Sequence, residues 1–297
     1  MATPCEARLH PSSSLSPLFL GVIMTFPNPS SRSASNGPQS VQDVRVLLVI
    51  PAYNECGNVG ALLKEIAALG LGYDTLVVDD GSTDDTAREA AQFSEVLRLP
   101  YNQGVGAAVQ AGLREGMRRG YDVVIQVDGD GQHPPDQIVR LLESYLASGE
   151  ALVIGSRFLR GMRSRYQSTP LRRLGSRAVA TTLHVLFDYR LTDPTSGFRL
   201  MDRDAMKLFA EHYPAEFPEP VSIGLALREG LAVREVPVQM RARVFGESAF
   251  RGMRGLVYVG RVLSDVVRVR MGTPGDGLPE RDGAVLPPWS TAAGDTL

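Results

Sequence analysis

Asp128 and Asp130 stand one residue apart, interleaved with Gly129 and Gly131. Two carboxylates at such a turn can face one cation with no bulky side chain between them. Hard oxygen donors of this kind suit Mg²⁺ or Mn²⁺, which complete their shells with water and substrate phosphates. A calcium loop starting at Asp128 would need Gly at its sixth position and Glu at its twelfth, where the chain has His133 and Val139. Three further polar clusters punctuate apolar runs: Pro51-Ala52-Tyr53-Asn54-Glu55, Asp79-Asp80-Gly81-Ser82 and Thr192-Asp193-Pro194-Thr195-Ser196-Gly197-Phe198. An acidic pair such as Asp79-Asp80 also suits a phospho-acceptor module. That chemistry needs a lysine at the end of a later strand, and neither Lys64 nor Lys207 occupies such a place.

The elements that must carry these clusters follow from hydrophobic periodicity. Residues 45–50 read as a buried strand, followed by a helix over 58–69 with Val59, Leu62, Leu63 and Ile66 on one face. A strand over 75–79 precedes Ser82-Thr83-Asp84-Asp85, which supplies capping groups for a helix running to about Phe93. Strands at 96–99, 123–127 and 152–154 alternate with helices at 106–119 and 135–146. This alternation predicts an α/β domain with a mostly parallel sheet covered on both faces. In such sheets ligands bind beyond the carboxyl ends of the strands, which is where the polar clusters fall.

The chain has 297 residues, 43% hydrophobic and 22% charged, with a formal net charge of -2. That balance excludes a global field for nucleic acid. Cys5 and Cys56 form no pair motif, which excludes a disulfide framework or structural zinc and suits a reducing compartment. Residues 1–43 read as a disordered extension; within them Leu15–Met24 resembles a short signal-peptide core interrupted by Pro17. Residues 44–250 read as the α/β domain, 251–271 as a basic amphipathic helix and 272–297 as a disordered tail. Nowhere do eighteen apolar residues run together.

Taken in order, "VLLVIPAYNE", "LVVDDGSTDDT", "VDGDGQHPP", "VIGSRF", "DPTSGFRLM" and "VREVPVQM" followed by "RARVFGES" resemble a family 2 glycosyltransferase of the GT-A fold, in the dolichol-phosphate-mannose-synthase-like branch. The resemblance covers about residues 44 to 250. It implies that Pro51, Tyr53, Glu55 and Asp80 hold the base and ribose of a UDP- or GDP-linked sugar. It implies that Asp128 and Asp130, assisted by Gln132, coordinate Mg²⁺ or Mn²⁺ on the diphosphate, Asp128 also serving the donor. Arg157 and Arg172 would then face an acceptor phosphate, Asp193 would lie beside the acceptor, and Arg243 would lie over the diphosphate. Each has a plainer reading beside it: Tyr53 as core packing, Asp79 as a structural cap, His133 as a turn residue, Asp193 as a turn starter before Pro194.

The acceptor is open between two chemistries. A hydroxyl needs a base, for which Asp193 is the candidate; a lipid phosphate is already an anion and needs arginines. Between Arg157 and Arg177 there are seven arginines and no acidic residue, which suits an anionic acceptor or a solvated helix face. From Arg241 to Arg270 seven arginines face only Glu247 and Asp265. That helix suits either attachment to an anionic bilayer surface or packing on the domain. The expectation is an inverting transferase acting on a polyprenyl phosphate at the cytoplasmic face of the membrane. Its alternatives are a hydroxyl-acceptor enzyme of cell-envelope polysaccharide or glycolipid synthesis, and a protein that only binds nucleotide sugar. Val221-Ser222 after Glu219-Pro220, where some bacterial relatives carry a second glutamate, bears on the acceptor pocket.

Overall fold

The computed structural model describes residues 44–159, 170–241 and 254–272. The tail expected at 1–43, and all but Gly272 of the tail expected at 272–297, lie outside the described residues. Seven strands form one sheet in the order β3-β2-β1-β4-β6-β5-β7. They are β1 (Val46–Ala52), β2 (Asp74–Asp79), β3 (Glu95–Arg98), β4 (Val123–Gln126), β5 (Leu152–Ser156), β6 (Arg199–Asp202) and β7 (Val233–Pro237). All neighbours pair in parallel except β6, which is antiparallel to both β4 and β5.

β1 is buried at every position because both its faces are covered, so its sequence shows no polar alternation. Leu48 and Ile50 face one core with Leu62, Leu63, Ile138 and Leu141, from α1 (Asn58–Ala68) and α4 (Ile138–Ser148). Leu47 and Val49 face the other, with Leu113 of α3 (Val105–Arg118) and Met206 and Phe209 of α6 (Arg203–His212). The fit of α3 on the sheet depends on small residues. A methyl group at Gly112 would stand 2.3 Å from Val49 Cγ1, and one at Gly116 2.6 Å from Val124 Cγ2.

The predicted elements are present, with shifted ends. β1 continues through Pro51, whose missing N–H is tolerated where the strand runs out beside Val78 of β2. The helix expected to reach Phe93 is only α2 (Thr86–Ala90), and of the capping residues named above Asp84 receives the Thr86 amide, at 3.0 Å. A 3-10 turn over Pro135–Gln137 precedes α4. The pattern did not assign β6, α6, β7, α5 (Pro170–Phe187) or α7 (Pro218–Arg228).

Strand order reverses about β1: β2 and β3 lie on one side of it, β4 and the rest on the other. The crevice at the carboxyl ends of β1 and β4 is therefore the switch point where such sheets take ligands. Reversal of β6 adds a second convergence. Arg199, its first residue, pairs with Gln126, the last of β4, so residues 192–198 arrive where residues 127–133 leave.

α8 (Arg254–Met271) lays Val262, Val266 and Val269, all fully buried, into the core shared with α5 and α7. Its last turn is held by Arg228, whose guanidinium donates to Val269 O, while Arg270 donates to Leu186 O at the end of α5. Among the described residues no helix is long and apolar enough to cross a membrane. Truncating Val266 to alanine should destabilise the lipid-free protein by about 2 kcal/mol. By calorimetry that is a midpoint drop of roughly 5 °C. A change under about 1 °C would place the apolar face of α8 outside the core.

Candidate functional site

The first two clusters meet through side chain–backbone bonds. Asn54, held at φ 52°, donates its amide to Ser82 Oγ at 2.9 Å and accepts the Thr83 amide on Oδ1 at 3.0 Å. The Glu55 amide donates to Thr86 Oγ1 at 2.8 Å, and its carboxylate accepts from Asn58 Nδ2 at 2.7 Å. The β1 loop and the β2 loop thus form one wall, with Pro51 buried at its root and Tyr53 half-buried.

Asp79 and Asp80 have separate tasks. Asp79 is fully buried; it accepts the Ser82 amide and pairs with Arg98 Nε at 3.1 Å, which fastens the turn. Asp80 accepts the amides of Gln103 and Gly104 at 2.7 and 2.8 Å, at the start of α3. Burial pushes the Asp80 carboxyl above its usual range, and those two amide bonds oppose the shift.

Asp128 is the accessible carboxylate of the group, with its side chain 35% exposed. Gln126 Nε2 donates to its Oδ1 at 3.3 Å, and His133 Nδ1 lies 3.7 Å from its Oδ2. His133 is itself buried and stacked on Phe198, which fixes it as part of the turn. A methyl group at Gly197 would come within 2.6 Å of Asp128 Oδ1, so the third and fourth clusters touch here. Asp130 is buried and accepts the Gln132 amide at 3.0 Å. Gln132 O in turn accepts the Arg241 amide at 2.9 Å. That bond brings the segment leading to Arg243 up to the acidic turn, although Arg243 lies outside the described residues.

Among the described residues no three His, Cys, Asp or Glu side chains gather into a metal-binding group. The protein's share of a cation's ligands would be the Asp128 and Asp130 carboxylates, with Gln132 alongside. Oxygen donors of that type and number fit Mg²⁺ or Mn²⁺, whose remaining positions water and phosphate oxygens fill.

On the other flank Arg157, just past β5, pairs with Asp193. Nε and NH2 of the guanidinium reach Oδ2 and Oδ1 at 2.5 and 2.6 Å, and the Arg157 amide adds a bond to Oδ2 at 3.0 Å. Thr195 Oγ1 donates to Oδ1 at 3.3 Å. Four donors therefore meet the roughly four lone-pair sites of a carboxylate that is fully buried. Arg172 falls in the first turn of α5, and its side chain lies outside the described residues.

The sequence reading gave no structural role to three groups. Arg199 is fully buried and donates to Ser196 O, Pro194 O and Ser222 Oγ, clamping the Asp193 loop from below. Glu219 opens α7 nearby. Burial pushes its carboxyl above the usual range, with the Arg199 charge opposing. Glu235 of β7 accepts the amides of Thr192 and Asp193 at 2.7 and 2.6 Å. The available signal was a charged residue inside an apolar strand, as in "GFRLM" and "REVPV", which must find a partner when buried.

The model of the family described as "Glycosyl transferase family 2" matches residues 47–209. Polyprenol monophosphomannose synthase of Mycolicibacterium smegmatis is 32% identical over 241 residues, 77% of this chain and 90% of that protein. Undecaprenyl-phosphate mannosyltransferase of Micrococcus luteus is 34% identical over 250 residues, 81% of this chain and 100% of that protein. Among solved structures, glucosyl-3-phosphoglycerate synthase from Mycobacterium tuberculosis, in complex with Mn²⁺, UDP and phosphoglyceric acid, superposes with a TM-score of 0.59 at 22% identity. The match covers 82% of this chain and 87% of that one, and it supports the GT-A fold. The family match over more than half of the chain, with relatives at 32% and 34% identity along most of its length, shows that the chain belongs to glycosyl transferase family 2 and is a glycosyltransferase.

Proposed function

We propose that the chain transfers a hexose, with inversion, from a nucleotide diphosphate donor to a polyprenyl phosphate, working as a peripheral enzyme on the cytoplasmic face of the membrane. The observation that carries this reading is the state of Asp193. A hydroxyl acceptor must lose a proton, and the base must offer it an open lone pair. The carboxylate placed beside the acceptor is fully buried and receives four donors, two of them from the Arg157 guanidinium. A phosphate acceptor needs no base. The relatives at 32% and 34% identity are named a polyprenol monophosphomannose synthase and an undecaprenyl-phosphate mannosyltransferase, which supports a lipid phosphate acceptor.

In this reading Tyr53, Glu55 and Asp80 shape the nucleotide wall. Asp80 acts by holding Gln103 and Gly104 at the start of α3. Departure of the nucleotide builds negative charge on its diphosphate, and donors fixed in advance stabilise that charge without reorganising. A divalent ion held by Asp128 and Asp130 would supply part of this neutralisation when bound, with Gln132 alongside and Arg243 over the same oxygens. Arg157, immobilised by Asp193, receives the acceptor phosphate, joined by Arg172 as the resemblance implies. Arg173 and Arg177, both exposed on α5, add charge toward anionic headgroups. The base of the donor, uracil or guanine, stays open.

Two measurements test this. Purified protein with Mn²⁺ or Mg²⁺ and a panel of UDP- and GDP-sugars should release nucleotide, and a polyprenyl phosphate should raise that release sharply. Release indifferent to the lipid phosphate would return the acceptor to a hydroxyl. Separately, Asp128→Ala should lower turnover by about 100-fold or more. Gly197→Ala, whose new methyl group displaces the Asp128 carboxylate, should weaken Mn²⁺ binding by about 10- to 100-fold. Mn²⁺ titration by electron paramagnetic resonance reads that loss directly, and unchanged affinity would sink the assignment of Asp128 as a ligand.

A further inference from the structure

β7 carries a carboxylate that the chemistry above does not use. Glu235 pairs in register with Ile154 of β5, three residues before Arg157. Its Oε2 accepts from the Thr192 amide at 2.7 Å and from Thr192 Oγ1 at 3.0 Å, and its Oε1 accepts from the Asp193 amide at 2.6 Å. One carboxylate therefore fixes two consecutive peptide units, and the second of these bears the Asp193 side chain. Thr192 Oγ1 also lies 2.6 Å from Ser156 Oγ, which accepts the Phe158 and Leu159 amides at 3.2 and 3.3 Å. Tyr189 OH donates to Val233 O, a further tie between this segment and β7.

These bonds form one chain from β7 through the Thr192–Asp193 backbone to the Asp193 carboxylate, and from there to the Arg157 backbone and guanidinium. The bonds span 36 and 42 residues of sequence, so local chain geometry does not maintain them. We infer that Glu235 is a positioning residue for the acceptor side: it sets the Asp193 carboxylate that orients Arg157, and thereby fixes where the arginine-rich segment leaves β5. The inference rests on the acceptor reading given above for Arg157.

The chemistry demands a carboxylate at this position. Three donors converge on it from two directions, and an amide would turn one NH₂ group against a backbone N–H. Burial, with the Asp193 charge adding to it, pushes the Glu235 carboxyl above its usual range, while the three hydrogen bonds oppose. Glu235 approaches neither Asp128 nor the nucleotide wall through any of these bonds, so its influence should be confined to one substrate.

The test is a steady-state comparison of Glu235→Gln with the wild type, using GDP-mannose and UDP-glucose as donors, Mn²⁺, and a short-chain polyprenyl phosphate. The expected result is an acceptor KM raised by about 10- to 100-fold, with donor KM and lipid-independent donor hydrolysis within about twofold. Combining Glu235→Gln with Asp193→Asn should add little to the larger single effect, because both changes break one linkage. Thr192→Val, which removes only the hydroxyl bonds, should shift acceptor KM in the same direction by less, and it serves if Glu235→Gln does not fold. An unchanged acceptor KM, equal losses for donor and acceptor, or multiplicative effects in the double variant would overturn the inference. If wild-type turnover ignores the lipid phosphate, the acceptor reading falls and this inference with it. If wild-type turnover needs the lipid but Glu235→Gln leaves acceptor KM unchanged, only the inference falls.

Discussion

Because β6 runs against its neighbours, the loop ahead of it reaches the carboxyl end of β4 instead of the far edge of the sheet. In an all-parallel sheet, each loop leaving a strand's carboxyl end would be followed by a crossover, and residues 192–198 would be delivered to the opposite end. With β6 reversed, Arg199 stands beside Gln126, Gly197 lies against the Asp128 carboxylate, and Phe198 covers His133. The acidic turn and the Asp193 loop become one surface through that strand direction.

The carboxylates of this surface divide into two populations. Asp80 and Asp193 are buried and each receives several donors, and buried Asp79 accepts the Ser82 amide and pairs with Arg98. A buried charge is tolerated only when paired and hydrogen-bonded, and removing one partner of such a pair costs about 3–5 kcal/mol. These groups are therefore fixed parts of the framework. Asp128 keeps one third of its side chain exposed, with a single weak amide contact from Gln126. Of these four carboxylates, Asp128 is the one with oxygens open to a ligand.

Local pattern was enough for β1, α1, α3 and the alternation around them, because apolar runs and helical faces there are uninterrupted. It was not enough for β6. Its four residues include a buried arginine, and that arginine is explained only by carbonyls and a hydroxyl contributed by the loop before it and by α7. The resemblance named Arg157 and Asp193 separately, but no spacing signals that residues 36 apart form a bidentate pair. α8 shows the same limit from the other side. Its valines suit a bilayer surface or a core equally, and only the presence of α5 and α7 beside them decides which face they cover.

The two halves of the site are also built with different rigidity toward sequence change. Tyr53, Glu55, Asp80 and Asp128 sit on loops that directly continue β1, β2 and β4, three adjacent parallel strands whose registers lock them together. On the other flank, alignment depends on side chains bridging β5, β6, β7 and α7: Arg157 to Asp193, Glu235 to Thr192, and Arg199 to Ser222. Substitutions in those bridges can re-aim the loops without touching the wall formed by the β1 and β2 loops. In this chain the carboxylate at 193 is tied to the Arg157 guanidinium.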